Sequence, residues 1–429
     1  MISRLASSFV AVAGALLVAT CASDVPVVRE AAQPAMRFSP HDVERGRALA
    51  LIGNCNVCHT TENGASFAGG RALPTPFGTI YSTNITPDPQ TGIGSWSLDD
   101  FRRAMHEGIA PGSRQLYPAF PYDHYALVAD ADVDAIYAYV MTRQAVVATA
   151  PANDLRMPFG ARGLIAFWKQ LYFHPEAVIP DPNRSAAWNR GRYLVEGLGH
   201  CGACHSPRNH MGAELRARDL DGGEAEGWHA PALDENSRAP VRWTEDALVT
   251  YLRSGFDERH GASRGPMAPV TQNLAQASES DVRAIATYIA SRAGSSHVGA
   301  SLAVTRVQVD DATRAELQRG DGASQGAILY EGACAGCHDR ALRGVRLEDS
   351  TAVTDSVPTN MIRVITDGLV PVEGEPSRSM PGFRGTFTAG QTAALVQYIR
   401  ARYSRAEPWQ DVQAQVDRIR AQHPSGSAS

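Results

Sequence analysis

One short motif occurs three times in this chain of 429 residues and uses six of its seven cysteines. Each copy reads Cys-x-x-Cys-His, and the copies lie at residues 55–59, 201–205 and 334–338. Two thiols one helical turn apart can form thioethers with the two vinyl groups of one porphyrin, while the adjacent histidine binds the iron. The motifs therefore predict three covalently bound c-type haems. The predicted thioether residues are Cys55, Cys58, Cys201, Cys204, Cys334 and Cys337, and the predicted iron ligands are His59, His205 and His338.

Zinc and disulfide bonds are the alternatives for such cysteine pairs. A structural zinc site built on Cys-x-x-Cys normally has a second ligand pair about 12 to 20 residues further on, and none of the three motifs has one. Three chance matches to the motif are not expected in a chain that contains only seven cysteines. Haem attachment is therefore the favoured interpretation.

The length and the charge of the chain limit its organisation and its partners. A chain of 429 residues has room for two to four ordinary domains, and three haem motifs suggest three. The net charge is -5, and there is no long basic run, so no nucleic-acid partner is expected. The partners should be proteins.

The first 22 residues are typical of a secretory signal peptide. Arg4 precedes an apolar run at 9–19, which is too short to span a bilayer, and small residues follow around Ala22. Cleavage just after Ala22 would remove Cys21, while lipid attachment at Cys21 is the alternative. We therefore expect an exported protein on the periplasmic face of the bacterial inner membrane. Any membrane association should be peripheral, through a lipid or a partner.

The sequence around each motif repeats, which predicts an all-α fold of three tandem class I cytochrome c-like domains, each around one haem. A predicted helix precedes each motif, a short helix follows it, and a closing helix packs against the first. The predicted units are a signal peptide 1–22, domain 1 at 37–149, a proline and aromatic linker at 150–184, domain 2 at 185–293, a flexible linker at 294–319, domain 3 at 320–404, and a helical tail with a disordered end at 405–429. Shared positions of the repeat are the glycines before the motifs (Gly46, Gly191, Gly326), the helix-ending glycines (Gly108, Gly255, Gly368) and the closing-helix tyrosines (Tyr139, Tyr288, Tyr398).

The repeat also predicts the sixth iron ligands. Met267 and Met380 each lie twelve residues after a helix-ending glycine, beside a proline, and methionine is a usual distal ligand of c-type haem. In the first unit the same offset reaches Phe120, which cannot bind iron. His124 is the first alternative there, Met105 and His106 are further ones, and an open iron is the last. A histidine ligand would give this haem the lowest potential and make it the entry point for electrons.

Longer stretches of sequence resemble a known family. Phe67 to Arg71, then residues 75–88 (TPFGTIYSTNITPD), and later Trp188 to His200 are similar to the membrane-associated three-haem cytochrome c subunits that accept electrons from periplasmic dehydrogenases. Residues 116–124 (LYPAFPYDH), with Trp409 and the tail after it, more closely resemble the subgroup that serves molybdenum hydroxylases for aldehydes or N-heterocycles. Relatives that serve quinone alcohol dehydrogenases or flavin gluconate and sugar dehydrogenases look to carry methionine at the position of Phe120.

The resemblance implies an electron-transfer subunit rather than an enzyme. A dehydrogenase catalytic subunit, with a molybdenum hydroxylase favoured, would supply electrons, and these would leave to ubiquinone, to a downstream cytochrome or to a terminal oxidase. A quinone alcohol dehydrogenase or a flavin gluconate or sugar dehydrogenase is the alternative partner. A haem enzyme, such as a peroxidase that works at an open first haem, is an interpretation of a different class. A free multihaem carrier is a third interpretation.

Overall fold

The computed structural model describes residues 38–175, 178–293, 322–340, 346–369 and 379–422. The predicted signal peptide with Cys21, the predicted linker at 294–319 and the predicted disordered end after residue 422 lie outside these residues. The described chain is mainly helical, with a few short strands, as a cytochrome c fold requires.

Helices α1 to α5 belong to the first predicted unit, and α6 lies in the segment that follows it. Their bounds are α1 Pro40–Ile52, α2 Cys55–His59, α3 Leu98–Glu107, α4 Tyr122–Tyr125, α5 Asp130–Met141 and α6 Gly163–Tyr172. The second unit contains α7 Ala186–Arg192, a π-helical turn Tyr193–Leu198, α8 Gly202–His205, α9 Glu245–Ser254, α10 Met267–Gln276 and α11 Glu279–Arg292. The remaining helices are α12 Gly322–Ala333, a π-helical turn Gly336–Arg340, α13 Thr351–Thr354, α14 Thr359–Asp367, α15 Ala389–Tyr403 and α16 Val412–Gln422.

Nine short strands line the loops between the helices of the described residues, so the strictly all-α prediction is correct only for the main elements. The strands are β1 Ala72–Thr75, β2 Gly78–Tyr81, β3 Ile109–Ala110, β4 Arg114–Gln115, β5 Asp154–Leu155, β6 Gly223–Ala225, β7 Trp228–Ala230, β8 Phe256–Asp257 and β9 Gly261–Ala262. All pairings are antiparallel; β5 joins the β1–β2 hairpin, and the others form separate two-stranded hairpins. Two to four residues are too few to produce a readable alternation of apolar and polar positions.

Helix boundaries follow from capping residues. The Ser97 hydroxyl accepts the Asp100 N–H, and the Asp100 carboxylate accepts the Ser97 N–H, so a reciprocal capping box starts α3. Helices α3 and α9 end at Gly108 and Gly255, whose φ values of 62° and 70° lie in the left-handed region. The predicted helix-ending glycines are thus confirmed at these two positions, and Gly368 also has a positive φ of 74° after α14.

The first and last helices of each predicted unit cross in close contact: α1 with α5, α7 with α11, and α12 with α15. A Cβ atom on Gly46 would lie 1.8 Å from the carbonyl oxygen of Ala135. At Gly191 and Gly326 the corresponding distances to a carbonyl of the last helix are 1.9 and 2.3 Å. Only glycine fits these crossings. The closing helix packs against the first helix as predicted, and its tyrosine lies at the crossing: the Cβ atoms of Tyr139, Tyr288 and Tyr398 lie within 2.8 Å of a Cβ added at Gly46, Gly191 and Gly326.

The buried apolar side chains of the described residues form two clusters. The first runs from Leu49 to Ile289 and is shared by the first two predicted units. The second runs from Tyr330 to Ile419 and includes the buried face of α16. The tail helix therefore belongs to the packing of the third predicted unit. None of the described helices combines the length and the apolar composition needed to cross a bilayer.

Candidate haem-binding sites

Each Cys-x-x-Cys-His motif lies on a helical turn that directly follows the first helix of its unit. The first motif is α2, entered through Asn54 in the left-handed conformation with φ 52°. The second occupies α8 and the residue before it, and the third runs into the π-helical turn Gly336–Arg340. All six cysteines of the motifs are free thiols.

Two of the motif histidines are oriented by backbone carbonyl groups. The Nδ1–H of His59 donates to the Thr83 carbonyl at 2.7 Å, and the Nδ1–H of His205 donates to the Pro231 carbonyl at 2.7 Å. Burial lowers the pKa of both rings, which favours neutral imidazole. With Nδ1 protonated, the lone pair is on Nε2, which is the arrangement that an imidazole needs to bind iron.

The third motif is held by its neighbouring aspartate. The Asp339 carboxylate accepts hydrogen bonds from the Tyr330 hydroxyl at 3.0 Å and the Tyr403 hydroxyl at 2.6 Å, and it pairs with Arg402 at 2.8 Å. Tyr330 lies on α12 and Tyr403 on α15. These contacts fix the turn that contains His338 against both crossing helices.

The four thiols of the first two motifs are half-buried, Cys334 is buried and Cys337 is exposed. Burial raises the pKa of Cys55 to about 12 and that of Cys201 to about 12. For Cys204, burial raises the pKa to about 11, and the charges of Glu214 and of the nearby Cys58 act in the same direction. In the first two motifs, a half-buried pair of neutral thiols beside an oriented imidazole suits thioether bonds to a porphyrin and fits haem c at these positions.

Of the two predicted methionine ligands, Met267 lies at the start of a helix and Met380 in a backbone pairing after α14. Met267 begins α10, two residues after Gly265, and a Cβ on Gly265 would contact the ring of Trp228 in β7, the strand that leads to Pro231. Met380 is half-buried and pairs with Leu369 through two backbone hydrogen bonds. Iron ligation by either methionine stays a prediction.

Phe120 is half-buried, and its ring lies 5.2 Å from that of Tyr125. It belongs to the apolar packing around the first cluster. An apolar environment is what a side chain without a metal-binding atom is expected to have.

The structure places His124 beside the buried carboxylate of Glu214. Its Nδ1–H donates to the Glu196 carbonyl at 2.6 Å, and its Nε2–H donates to the Glu214 carboxylate at 3.0 Å. Burial alone would lower the pKa of His124, but the hydrogen bond and the charge of Glu214, together with Asp123, raise it to about 9. Both ring nitrogens are therefore engaged in hydrogen bonds. Iron ligation by His124, the first alternative from the sequence for the first haem, stays a prediction.

The other two alternatives for the sixth ligand of the first haem are His106 and Met105, and their side chains have different surroundings. The Nε2 atom of His106 lies 2.9 Å from the Val128 carbonyl and its Nδ1 atom lies 3.6 Å from Asp130. Met105 is buried in the first cluster.

The first and second motifs adjoin each other. The Nε2 atom of His200, the residue before Cys201, lies 3.3 Å from the carbonyl of Gly53, two residues before Cys55. From α10, the buried amide of Asn273 donates to the side-chain oxygens of Asn54 and Asn56, at 2.9 Å each. The sequence provided no signal for these contacts, because the partners are more than a hundred residues apart.

The β6–β7 hairpin of the second unit connects both other units. On one side, Glu226 at the hairpin turn pairs with Arg71 at 2.8 Å, and Arg71 donates to the carbonyl of Val57 inside the first motif at 2.9 Å. On the other side, the buried guanidinium of Arg363 on α14 donates to the Gly227 carbonyl at 2.7 Å. The hairpin therefore lies at the junction of the three motif-bearing regions.

The same hairpin also meets the third unit through polar side chains. Asn360 accepts the backbone N–H of His229 at 3.0 Å and donates to its carbonyl at 2.8 Å. The His229 ring lies 3.1 Å from the buried carboxylate of Asp355. These hydrogen bonds hold α14 at a defined position on β7.

Comparisons with known proteins agree with the haem interpretation. A family model for cytochrome C oxidase, cbb3-type, subunit III, matches residues 321–399. The chain is 46% identical over 388 residues to one of the subunits of nicotinate dehydrogenase from Pseudomonas putida, covering 88% of this chain but only 32% of the length of that relative. It is 39% identical over 381 residues to the gluconate 2-dehydrogenase cytochrome c subunit of Pantoea cypripedii, covering 83% of this chain and 85% of the relative. It is 35% identical over 402 residues to the cytochrome c subunit of alcohol dehydrogenase (quinone) of Gluconobacter oxydans, covering 88% and 82%.

Proposed function

The chain belongs to the family of cytochrome c subunits of dehydrogenases, which transfer electrons and are not the catalytic subunits, and from this we propose a three-haem relay. It would carry electrons from a catalytic subunit to ubiquinone, a downstream cytochrome or a terminal oxidase, on the periplasmic face of the bacterial inner membrane. Bound haem c supplies a reversible one-electron change at its iron, and the protein tunes this through ligands and burial. The motif residues Cys55 to His59, Cys201 to His205 and Cys334 to His338 would hold the three haems.

The observation that carries the proposal is the set of contacts that join the first motif and the residues before it to the second unit. The His200 ring against the Gly53 carbonyl, and Asn273 between Asn54 and Asn56, hold these two attachment sites side by side. A relay needs a short and constant separation between its redox centres. The β6–β7 hairpin contacts Arg71, which binds the first motif, and Arg363 of the third unit. These contacts define the position of the hairpin relative to both.

We propose a molybdenum hydroxylase that oxidises aldehydes or N-heterocycles as the catalytic partner. The identity to the nicotinate dehydrogenase relative, 46%, exceeds the 39% and 35% to the gluconate and alcohol dehydrogenase relatives. Phe120, in place of the methionine of the alcohol and sugar group, favours the same assignment. A quinone alcohol dehydrogenase or a flavin gluconate dehydrogenase is the alternative partner.

Met267 and Met380 are proposed as the sixth ligands of the second and third haems. For the first haem, the hydrogen bonds of His124 and His106 favour Met105 or an open position. Carbon monoxide binding to the reduced protein distinguishes the two, because carbon monoxide binds at an open iron and competes poorly with a bound thioether.

The function is tested on the native complex isolated from gently solubilised membranes. Mass spectrometry of the chain should show three attached haems, and cofactor analysis should find molybdopterin in the accompanying subunit. Addition of an aldehyde or an N-heterocycle should then reduce the haems within the turnover time of the complex. Flavin or pyrroloquinoline quinone would assign the alternative partner, while a chain that carries fewer haems, or that stays oxidised with every substrate, would contradict the relay.

A further inference from the structure

Helix α6, in the segment between the first two units, has one face anchored to the protein. Ile165 is buried, and the indole N–H of Trp168 donates to the Met211 carbonyl at 2.9 Å. The ammonium group of Lys169 donates to the carbonyls of Glu107 and Gly108 at the end of α3. These contacts fix the rotation of the helix about its axis, so that its opposite face has a defined direction.

The opposite face presents large apolar side chains to solvent. Leu164, Phe167 and Leu171 are 46%, 60% and 50% exposed, and their spacing of three and four residues places them in one stripe. Met157, shortly before the helix, is 81% exposed. Single exposed apolar side chains are ordinary, but a stripe on an anchored helix marks a contact surface.

The charge around this stripe is one-sided. The sequence from 155 to 175 contains no aspartate or glutamate, in a chain whose net charge is -5, and its two arginines are Arg156 and Arg162. The ammonium group of Lys169 lies on the anchored face of the helix. Arg162 lies at the N-terminal end of α6, where the helix dipole already carries positive charge. The charge of Arg162 is near enough to Arg114 to help lower the pKa of Arg114, after burial as the main cause. The surface at this end of the helix is therefore basic.

An apolar stripe flanked by basic residues, with Trp168 and Tyr172 at its edge, matches the pattern of helices that lie in the headgroup region of a bilayer. We propose that the stripe Leu164, Phe167 and Leu171, with Met157, is the surface by which this chain lies on an anionic phospholipid bilayer. The inference deepens the proposed function and rests on it for the location at a membrane. The occupant follows from charge complementarity, since phosphate headgroups would meet the arginines while acyl chains cover the stripe.

The test uses the full holoprotein, with a mass that shows no acyl chain at Cys21, and sucrose-loaded vesicles. Vesicles of phosphatidylcholine alone are compared with vesicles that contain phosphatidylglycerol, and pelleted protein is measured by haem absorbance. We expect binding to the anionic vesicles that weakens with added salt. The triple variant Leu164→Ser, Phe167→Ser, Leu171→Ser should reduce the partition coefficient by about tenfold or more, because each side chain buries apolar surface.

Ile328→Ser is the matched control, because Ile328 is 62% exposed on α12 and lies outside the stripe. Its binding should equal that of the wild type, and haem content with circular dichroism should show that every variant is folded. Phe167→Ser alone provides a milder second variant with a partial loss. Wild-type protein that does not pellet with anionic vesicles, or a triple variant that pellets equally well, would overturn the proposal.

A triple variant that keeps vesicle binding but loses the catalytic subunit during purification would also overturn it, by showing that the stripe is a protein contact. Haem reduction by substrate is measured separately in detergent. A failure of the relay would therefore appear as haems that the substrate does not reduce, with vesicle binding unchanged. A failure of the bilayer proposal would appear as absent vesicle binding, with haem reduction unchanged.

Discussion

Gly326→Ala tests the helix crossing that organises each motif-bearing unit. The new Cβ would lie 2.3 Å from the Ala394 carbonyl oxygen and 2.7 Å from the Cβ of Tyr398, whereas ordinary contacts begin near 3.4 Å. Helices α12 and α15 must therefore separate by about 1 Å, and neither obstacle is the end of a flexible side chain. Such overpacking costs about 3 kcal/mol, offset by about 1 kcal/mol from the better helix propensity of alanine.

The net loss is about 2 kcal/mol. For a unit of about 100 residues, this should lower its melting temperature by roughly 8 to 16 °C. Scanning calorimetry of the holoprotein measures the change, and hydrogen exchange assigns it, since protection should fall in α12 and α15 but not in α1.

Gly332→Ala is the matched control on the same helix, because Gly332 is exposed and a Cβ there would meet nothing within 4 Å. It should stabilise the unit by about 0.5 to 1 kcal/mol. If both variants stabilised the protein to the same extent, the close crossing at Gly326 would be refuted.

Three further tests probe the ion pair of His124, the predicted methionine ligands and the junction at the β6–β7 hairpin. The stabilisation from His124, whose pKa rises from 6.5 to about 9 on folding, should be fully present below 6.5 and lost as the pH rises through about 9. His124→Gln should therefore lower the free energy of unfolding near neutral pH but not at strongly alkaline pH, as measured by guanidinium denaturation; equal losses at both would contradict the ion pair. Met267→Leu and Met380→Leu should each lower the reduction potential of one haem in a spectroelectrochemical titration, and two unchanged potentials would remove both residues as ligands. Arg363→Ala removes a buried guanidinium and should increase hydrogen exchange in β6 and β7, whereas the exposed Arg346→Ala should not; matching exchange in both would show that the junction does not depend on Arg363.

The helical framework could be predicted from local sequence patterns. Helix α3 ends at Gly108 as predicted, and the Ser97 capping box starts it. The glycines before the motifs could be located by the repeat, but their role could not. That role depends on a carbonyl of the last helix, such as that of Ala135 opposite Gly46, and no local pattern encodes this contact.

The surroundings of the first haem motif were less predictable. His124 has the residue type and the loop position of an iron ligand, and its partner Glu214 lies 90 residues further along the chain. A histidine beside a buried carboxylate becomes an ion pair, and only the packing of one unit on the other brings the two together. The same packing explains why Asn273 was missed, since its hydrogen bonds cross from the second unit to the first.

The hydrophobic cluster that runs from Leu49 to Ile289 determines where the chain can be divided. A fragment that ended between residues 150 and 184 would retain Leu49 and Ile52 but lose Leu194 and Leu198, which are in the same cluster. A cut between residues 293 and 322 separates no members of either cluster. A pair of motifs, and a single motif with its tail helix, are therefore the smallest modules for expression or for transfer to another protein that keep each cluster whole.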